Sequence, residues 1–218
     1  MYNTIYSLKM PRRIILLNGP PRSGKDEAAK IILNKCNSLF FKKAENIRLA
    51  DPLLQCLHSM FPQVTDYESQ KADVICGDLT PRQWIISFAE EFAKKKSGKD
   101  TFVNIALEKI KRGKQNTYFV VPDLGFDEEI DGFIEFAQQN ADVEIILIRM
   151  HREGYDFKGD SRKYIYVDDK HNIEQADIYN YGTLPELKNK ILKLFAESIK
   201  TEDSLPSYVW QKISSCYQ

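Results

Sequence analysis

The chain has 218 residues, 43% of them apolar, and its 31 basic residues balance 31 acidic ones. That size and composition fit one ordinary soluble domain, and zero net charge leaves no electrostatic footprint for nucleic acid or a membrane surface. No apolar run approaches the roughly 20 residues of a membrane span, and the four scattered cysteines, Cys36, Cys56, Cys76 and Cys216, read as free thiols of a reducing cytosol rather than a zinc site.

Residues 1–12 read as a loose leader without the apolar core of a secretory signal. A first strand is expected over 13–18 and a helix over about 24–36, with Ala28, Ile32 and Cys36 on one stripe. Asn46–Ala50 reads as a short second strand. Asp51-Pro52 then opens a helix, since the acid can cap it and proline suits the first turn; Leu53, Leu54, Leu57 and Met60 give it a buried face. Residues 62–79 are polar and predict a short helix with loops. Thr80-Pro81-Arg82-Gln83 has the capping-box pattern and starts a helix with Ile85, Phe88, Ala89 and Phe92 inward. Trp84, Phe88 and Phe92 are expected in the core rather than on a base-stacking platform.

Ser97-Gly98 ends that helix, and another follows over about 100–112, with Phe102, Ile105, Ala106 and Ile110 inward. Tyr118–Val121, ending in Pro122-Asp123, is apolar on both faces, the mark of a central parallel strand. A helix over about 127–140 leads to a strand at Val143–Ile148 that ends at Arg149. Residues 150–170 are rich in charge and tyrosine and predict a mobile lid. Asp177–Asn180 reads as a short strand, and Thr183-x-x-Glu186 caps a last helix carrying Leu184, Leu187, Ile191, Leu194 and Phe195 on one side. The tail after residue 200 carries no signal. This alternation predicts one α/β domain over 13–200, a mostly parallel sheet flanked by helices in three layers.

Gly19-Pro20-Pro21-Arg22-Ser23-Gly24-Lys25-Asp26 stands between the first strand and the first helix. The spacing is that of a phosphate-binding loop, with Asp26 where Ser or Thr is usual. Glycines let successive N–H groups turn toward a phosphate, the helix N-terminus adds its dipole, and Lys25 adds a point charge. Gly19, Arg22, Ser23, Gly24, Lys25 and Asp26 are therefore candidates to hold a nucleoside triphosphate, and Arg22 can reach either its phosphates or an acceptor. Asp26 reads either as a ligand of the accompanying cation or as an acid favoured by the helix dipole.

In a parallel sheet, ligands sit at the carboxyl ends of the strands, where Gly19, Ala50, Asp123 and Arg149 all fall. Asp123 reads as a metal ligand, an acceptor-orienting group, or a turn residue. Arg82 can grip an acceptor phosphate with its planar fork or be a solvated helix residue. Arg48, Asp51 and Arg149 face the same crevice. Arg152, Arg162 and Lys163 lie in the expected lid, where closure could bring one of them onto a transferring phosphoryl group. His58, His151 and His171 form no constellation.

The loop resembles that of bacteriophage deoxynucleoside monophosphate kinases and, more distantly, animal-type phosphomevalonate kinases, which share Arg/Lys-Ser-Gly-Lys-Asp. The resemblance extends in order through Leu49-Ala50-Asp51-Pro52, Thr80-Pro81-Arg82 with Glu90 and Glu91, Val120–Asp123, Ile146–Arg149 and Asp177–Leu184, covering about residues 13–197. It implies a P-loop kinase fold and Mg²⁺-dependent transfer of the ATP γ-phosphoryl group to a small nucleotide acceptor. Lys25, Asp123, Arg152 and Arg162 would take catalytic roles, Asp26 and Asp123 would serve the metal, Asn180 would lie beside the nucleotide, and Arg48, Asp51, Arg82 and Arg149 would serve the acceptor. A cytoplasmic location (that of the host, for a phage-encoded chain) and a possible homodimer go with this resemblance.

One position departs from it. These kinases continue Asp-x-Arg after the central strand, and that arginine helps to bind the acceptor phosphate. Here the run is Asp123-Leu124-Gly125. Three readings follow: other arginines (Arg82, Arg149, Arg152) supply the clamp; the acceptor is a hydroxyl, such as hydroxymethylpyrimidine in phage DNA, whose proton Asp123 accepts; or the chain binds nucleotide without turnover. Neutral overall charge disfavours DNA. On the first reading, an arginine introduced at 125 is expected to tighten monophosphate binding.

Overall fold

The computed structural model describes residues 11–38, 43–168, 171 and 173–200, with backbone alone for 196–200. The leader up to residue 10 and the tail from 201 lie outside the described residues. Five strands form one sheet: β1 (Arg12–Asn18), β2 (Lys43–Asn46), β3 (Thr117–Leu124), β4 (Val143–His151) and β5 (Glu174–Tyr179). Their order is β2-β3-β1-β4-β5 and every pairing is parallel. Parallel neighbours need crossover connections, and helices supply them: α1 (Lys25–Asn37), α2 (Asp51–Met60), the short α3 (Tyr67–Gln70), α6 (Thr101–Arg112), α7 (Asp127–Gln139) and α8 (Leu184–Lys200). Between α3 and α6 a single rod runs through α4 (Pro81–Ser87), a π-helical turn (Phe88–Ala93) and α5 (Lys94–Ser97). No described helix is long and apolar enough to cross a membrane.

The central strands are apolar on both faces because both faces are covered. Alternate residues of β1 divide between two cores. Ile14 and Leu16 join Phe119, Val121, Ile145 and Leu147 against Val103, Ala106 and Ile110 of α6 and Ile130 and Phe133 of α7. Ile15 and Leu17 join Val120, Ile146 and Ile148 against Ala28 and Ile32 of α1 and Leu187 and Ile191 of α8. The expected three-layer architecture is therefore present. The order of connection reverses at β1, whose successor strand β2 lies beyond β3, and its carboxyl end is the crevice where such folds place ligands.

That end is fastened by Asn18, which has no exposed surface. Its Nδ2 donates to Leu124 O (3.0 Å) and Lys163 O (3.0 Å), and its Oδ1 accepts from Ile165 N (3.0 Å). Ile165 is 1% exposed and belongs to the core between the sheet and α6/α7. The expected lid therefore has two parts. Met150 and His151 still belong to β4 and 152–160 forms turns, whereas 163–167 is docked onto the end of the sheet.

Several expected boundaries move. The second strand occupies 43–46 rather than 46–50, because the N–H groups of Leu49 and Ala50 leave the ladder and bond to the Asp123 carboxylate. The last strand begins at Glu174, three residues before the expected Asp177. Met60, Phe92, Ile105 and Leu184, all expected inward, are exposed. The π turn accounts for Phe92: it adds to the residues per turn, so the face that buries Trp84 and Ala89 has rotated away by position 92. Trp84 is in the core as expected, stacked on Phe88 at 4.9 Å. The Thr80 capping box is present, Thr80 Oγ1 accepting from Gln83 N and Gln83 Oε1 accepting from Thr80 N.

Asn18→Ala leaves the Ile165 N–H and the Leu124 and Lys163 carbonyls without their partner. We expect a loss of roughly 1–3 kcal/mol in urea denaturation, with faster amide exchange concentrated at 163–167.

Candidate active site

The loop from Gly19 to Gly24 turns the chain from β1 into α1. Gly24 has φ +101, in the region that favours glycine, and a Cβ there would meet Asn180 Nδ2 at 2.5 Å. At Gly19 the constraint is close approach: a Cβ would stand 2.6 Å from Met150 O and 2.8 Å from Ser23 Oγ. Arg22 also takes a left-handed conformation, φ 63, which costs a non-glycine residue energy and is characteristic of functional turns. Ser23 Oγ is fully buried and makes no hydrogen bond to any described residue. A buried hydroxyl with nothing to bond to is expensive; beside a phosphate it would have an acceptor.

Lys25 is 9% exposed, and its Nζ donates to Gly19 O (2.6 Å) and Pro20 O (2.7 Å). The ammonium thus curls back beneath its own loop. Burial, reinforced by the Arg162 charge, lowers it from the ordinary 10.5 to about 8, against the opposing pull of Asp26, Asp160 and Asp123. A positive charge held at such desolvation cost is a charge positioned for an anion. Asn180 donates from Nδ2 to Ser23 O (3.0 Å) and Arg152 from Nη1 to Arg22 O (3.0 Å). The expected loop residues therefore come together, with Asn180 and Arg152 bracing the loop through its carbonyls.

Beside the loop lie the carboxylates. Both oxygens of Asp123 accept backbone N–H groups, from Leu49 and Ala50 at 3.0 Å each. Burial pushes its pKa up, and these two bonds and Arg48 pull it back. Asp123 thus anchors the entry to α2 as well as facing the site. Asp26 is exposed and accepts from Arg48 Nη2 at 2.8 Å, and Asp51 is 3.9 Å from Lys109 Nζ. Among the described residues no group of three His, Cys, Asp or Glu side chains is placed to hold a metal ion. Mg²⁺ typically takes one or two carboxylates together with phosphate oxygens and water, and Asp26 and Asp123 are the carboxylates beside the loop that fit that donor type.

A cavity of about 790 Å³ opens next to this cluster. Leu49, Leu53, Ile85, Ala89, Phe102 and Phe126 form an apolar wall, while Tyr67, Arg82, Asp123, Glu129, Asp160 and Arg162 bring polar groups to it. This is the size and make-up of a site for a small ligand with a flat apolar part and a charged end. Lys94 of the π-turned rod stands over the Phe126 ring at 4.3 Å and pairs with Glu90 at 2.8 Å. Glu129 Oε2 accepts from the N–H groups of Gly125 (2.8 Å) and Phe126 (3.1 Å), closing the first turn of α7. Burial lifts this carboxyl from 4.5 to about 7.

Arg162 lies across Gly125 and forks onto Asp160, Nε to Oδ1 at 2.9 Å and Nη2 to Oδ2 at 2.6 Å. That pairing holds Asp160 down to about 2, with Arg82 adding to the effect. Arg82, at the first turn of α4, lines the cavity as well.

Of the four expected acceptor residues, Arg82 lines the cavity, whereas Arg48, Asp51 and Arg149 do not. Arg149 is 6% exposed; Nε and Nη2 fork onto Asp177 at 2.9 and 2.7 Å, Nη1 donates to Gln175 Oε1 (2.8 Å) and Ile165 O (3.3 Å), and Tyr166 covers its plane at 4.5 Å. Its donors are committed to fastening β4 to β5 and to the docked 163–167 segment, which corrects its assignment to an acceptor. Next to it, His151 Nε2 contacts Asp177 Oδ1 at 2.6 Å, and its ring stacks between Tyr164 and Tyr179 at 4.5 and 4.8 Å.

Sequence reasoning missed Asn18, Tyr67, Glu129 and Asp160. Only Glu129 left a signal, as the acid at the third position of a helix start.

No family model matches the chain, and no curated protein matches it significantly. Among solved structures, it is similar to an APS kinase from Mycobacterium tuberculosis in complex with AMPPNP and APS, at 11% identity over 85% of this chain and 98% of that one, with a TM-score of 0.49. A mutant of the same kinase gives 0.47 with the same identity and coverage. A plasmid partition protein from Borrelia burgdorferi is 14% identical over 87% of this chain and 100% of its own, with a TM-score of 0.35. These likenesses are remote, and the roles below rest on this chain's own side chains.

Because the folded state holds Glu129 at about 7 against 4.5, the stability it contributes is fully present below pH 4.5 and is lost as pH rises through 7. Glu129→Gln should flatten the stability profile between pH 5 and 7.5 by roughly 2–3 kcal/mol. Thermal melts of both proteins across that window check it; identical profiles would refute the assignment.

Proposed function

We propose that the chain is an ATP- and Mg²⁺-dependent phosphotransferase that phosphorylates a (deoxy)nucleoside monophosphate to the diphosphate. The observation that carries this reading is the buried Lys25 ammonium and the partnerless Ser23 hydroxyl, brought together by a glycine-bracketed loop at the carboxyl end of β1. The loop N–H groups and Lys25 would cradle the β- and γ-phosphates and neutralise charge as it shifts toward the leaving group. Asp26 and Asp123 would hold Mg²⁺ on the protein side, and the ion would supply positive charge to offset that of the phosphates. Asp26 would have to exchange its Arg48 contact for the cation.

The cavity wall of Leu49, Leu53, Ile85, Phe102 and Phe126 suits the base and sugar of the acceptor, and Asp123 is among the polar groups that line it. A monophosphate is largely ionised near neutrality, so it needs positive charge and alignment more than a base. Asp123, whose oxygens already accept two N–H groups, supports alignment better than proton abstraction from a hydroxyl.

Incubation with ATP, Mg²⁺ and a panel of nucleoside monophosphates, nucleosides and hydroxymethylated DNA, followed by ADP release, tests the reading. Monophosphate-dependent ADP release is expected; release with DNA or nucleosides alone would overturn it. Lys25→Met should lower turnover by roughly 100-fold or more while leaving the melting temperature equal or higher, because a desolvated charge is removed.

Lys25 also sets a pH dependence. Below about pH 8 its amine is charged in the free protein; above it, phosphate binding must take up a proton. Affinity for ATP should therefore fall as pH rises through 8, by up to about tenfold per unit, and calorimetric titration between pH 7 and 9.5 reads it directly.

A further inference from the structure

Gly125 is a glycine for a packing reason. Its φ lies outside the left-handed region, so the backbone there would accept any residue. A Cβ, however, would stand 2.5 Å from Arg162 Cγ and 3.1 Å from Arg162 Cβ and would collide with Cδ. The volume that a side chain at 125 would fill is taken by the stem of Arg162. That stem has little room to yield: the next residue, Lys163, donates its N–H to Gly125 O (3.4 Å), and its carbonyl accepts from buried Asn18.

What the stem delivers is a guanidinium at the polar end of the cavity. It is forked onto Asp160, whose side chain is 9% exposed. Arg82 of α4 and Tyr67 of α3 line the same cavity, and the Arg82 charge helps to hold the Asp160 carboxyl down. The Arg82 guanidinium makes no hydrogen bond to any described residue. Two guanidiniums and a phenol thus share the cavity with one carboxylate that the chain itself supplies, and Arg162 is forked onto it. A planar fork on a compact anion is the geometry by which arginine grips a phosphomonoester.

We propose that Arg162 and Arg82 are the grip for the acceptor's phosphate, and that Asp160 is a resident anion which keeps the grip assembled until that phosphate displaces it. This rests on the reading of the cavity as the acceptor site. A phosphomonoester carries −1.5 to −2 at neutral pH against −1 for the carboxylate, so the exchange favours the ligand, and Arg162, already paired, has little water to lose when it arrives. The arginine missing from position 125 is accordingly supplied from 37 positions later, through the same space. An arginine introduced at 125, expected from sequence to strengthen the clamp, would instead drive Arg162 out of it.

The test combines calorimetric binding of nucleoside monophosphates in the absence of ATP with steady-state ADP release. It uses Arg162→Ala, Gly125→Ala, Arg82→Ala and Asp160→Asn, with thermal melts to confirm folding. Arg162→Ala and Gly125→Ala should each weaken monophosphate binding by roughly tenfold or more, the scale of one lost charged pair. Both should leave the ATP KM within about twofold, and Arg82→Ala should act in the same direction. Asp160→Asn should tighten monophosphate binding.

Unchanged monophosphate affinity in Arg162→Ala and Gly125→Ala would overturn the grip, as would a lower kcat with unchanged acceptor KM, which would place Arg162 on the transferring phosphoryl group. Weaker binding in Asp160→Asn would make Asp160 a brace and overturn the resident-anion role. If no acceptor is turned over yet the two substitutions still weaken monophosphate binding, the phosphotransfer reading fails and the grip stands. If the wild-type protein binds no monophosphate, the grip fails.

Discussion

The buried amide of Asn18 is the constraint on which the ligand-binding end of this molecule depends. It stands where β1 finishes, with β3 on one side and the returning 163–167 segment on the other, and it bonds to both. An amide has a donor end and an acceptor end, so one side chain can satisfy a carbonyl of the sheet and both a carbonyl and an N–H of a segment far away in sequence. The loop that follows it, from Gly19, starts from a fixed point. The segment on its other side arrives with Ile165 in the core and Arg162 over Gly125. The Gly19–Gly24 loop and the cavity are therefore set relative to each other by a single unexposed residue.

Charge is arranged around that fixed point in short, mutually dependent pairs. Lys25 is held by loop carbonyls, Asp26 by Arg48, Asp160 by Arg162, and Asp123 by two backbone N–H groups. Each charge has a partner that a ligand or cation could replace. Such pairing keeps the cost of burying charge tolerable without leaving the site inert.

Much of this was legible in the residues. The uninterrupted apolar runs of β1, β3 and β4 could only be central strands covered on both sides, and Thr80 and Thr183 marked their helix starts because capping is a local interaction, although Asp51 does not cap its own helix. The Gly19–Asp26 turn between β1 and α1 was legible for the same reason, as spacing within one turn. What escaped depends on contacts across the chain. Ile47–Ala50 has the composition of a strand, yet Asp123, some 73 residues on, takes the N–H groups that a ladder would need. Arg149 sits at a strand end, where an arginine looks available, but Asp177 and Gln175 claim it from the neighbouring strand. The exposure of Phe92 follows from a π turn that no period-3.6 pattern anticipates. Gly125 looked like a loss when seen alone, because the side chain that replaces its function is brought there by Asn18 and not by sequence proximity.

The shared volume at Gly125 also bears on how such a site could have arisen. Two residues whose stems need the same space cannot both be large, so a change at either one alters what the other can be. A chain with a bulky residue at 125 could not have admitted an arginine at 162 in its present position, and the present chain cannot regain a side chain at 125 without first giving up that arginine. The order of substitutions is thereby constrained: glycine must come first, with the cationic function weakened in the interval, or both positions must change together. Mutational effects at the two sites will not add, and each residue makes sense only in the background of the other.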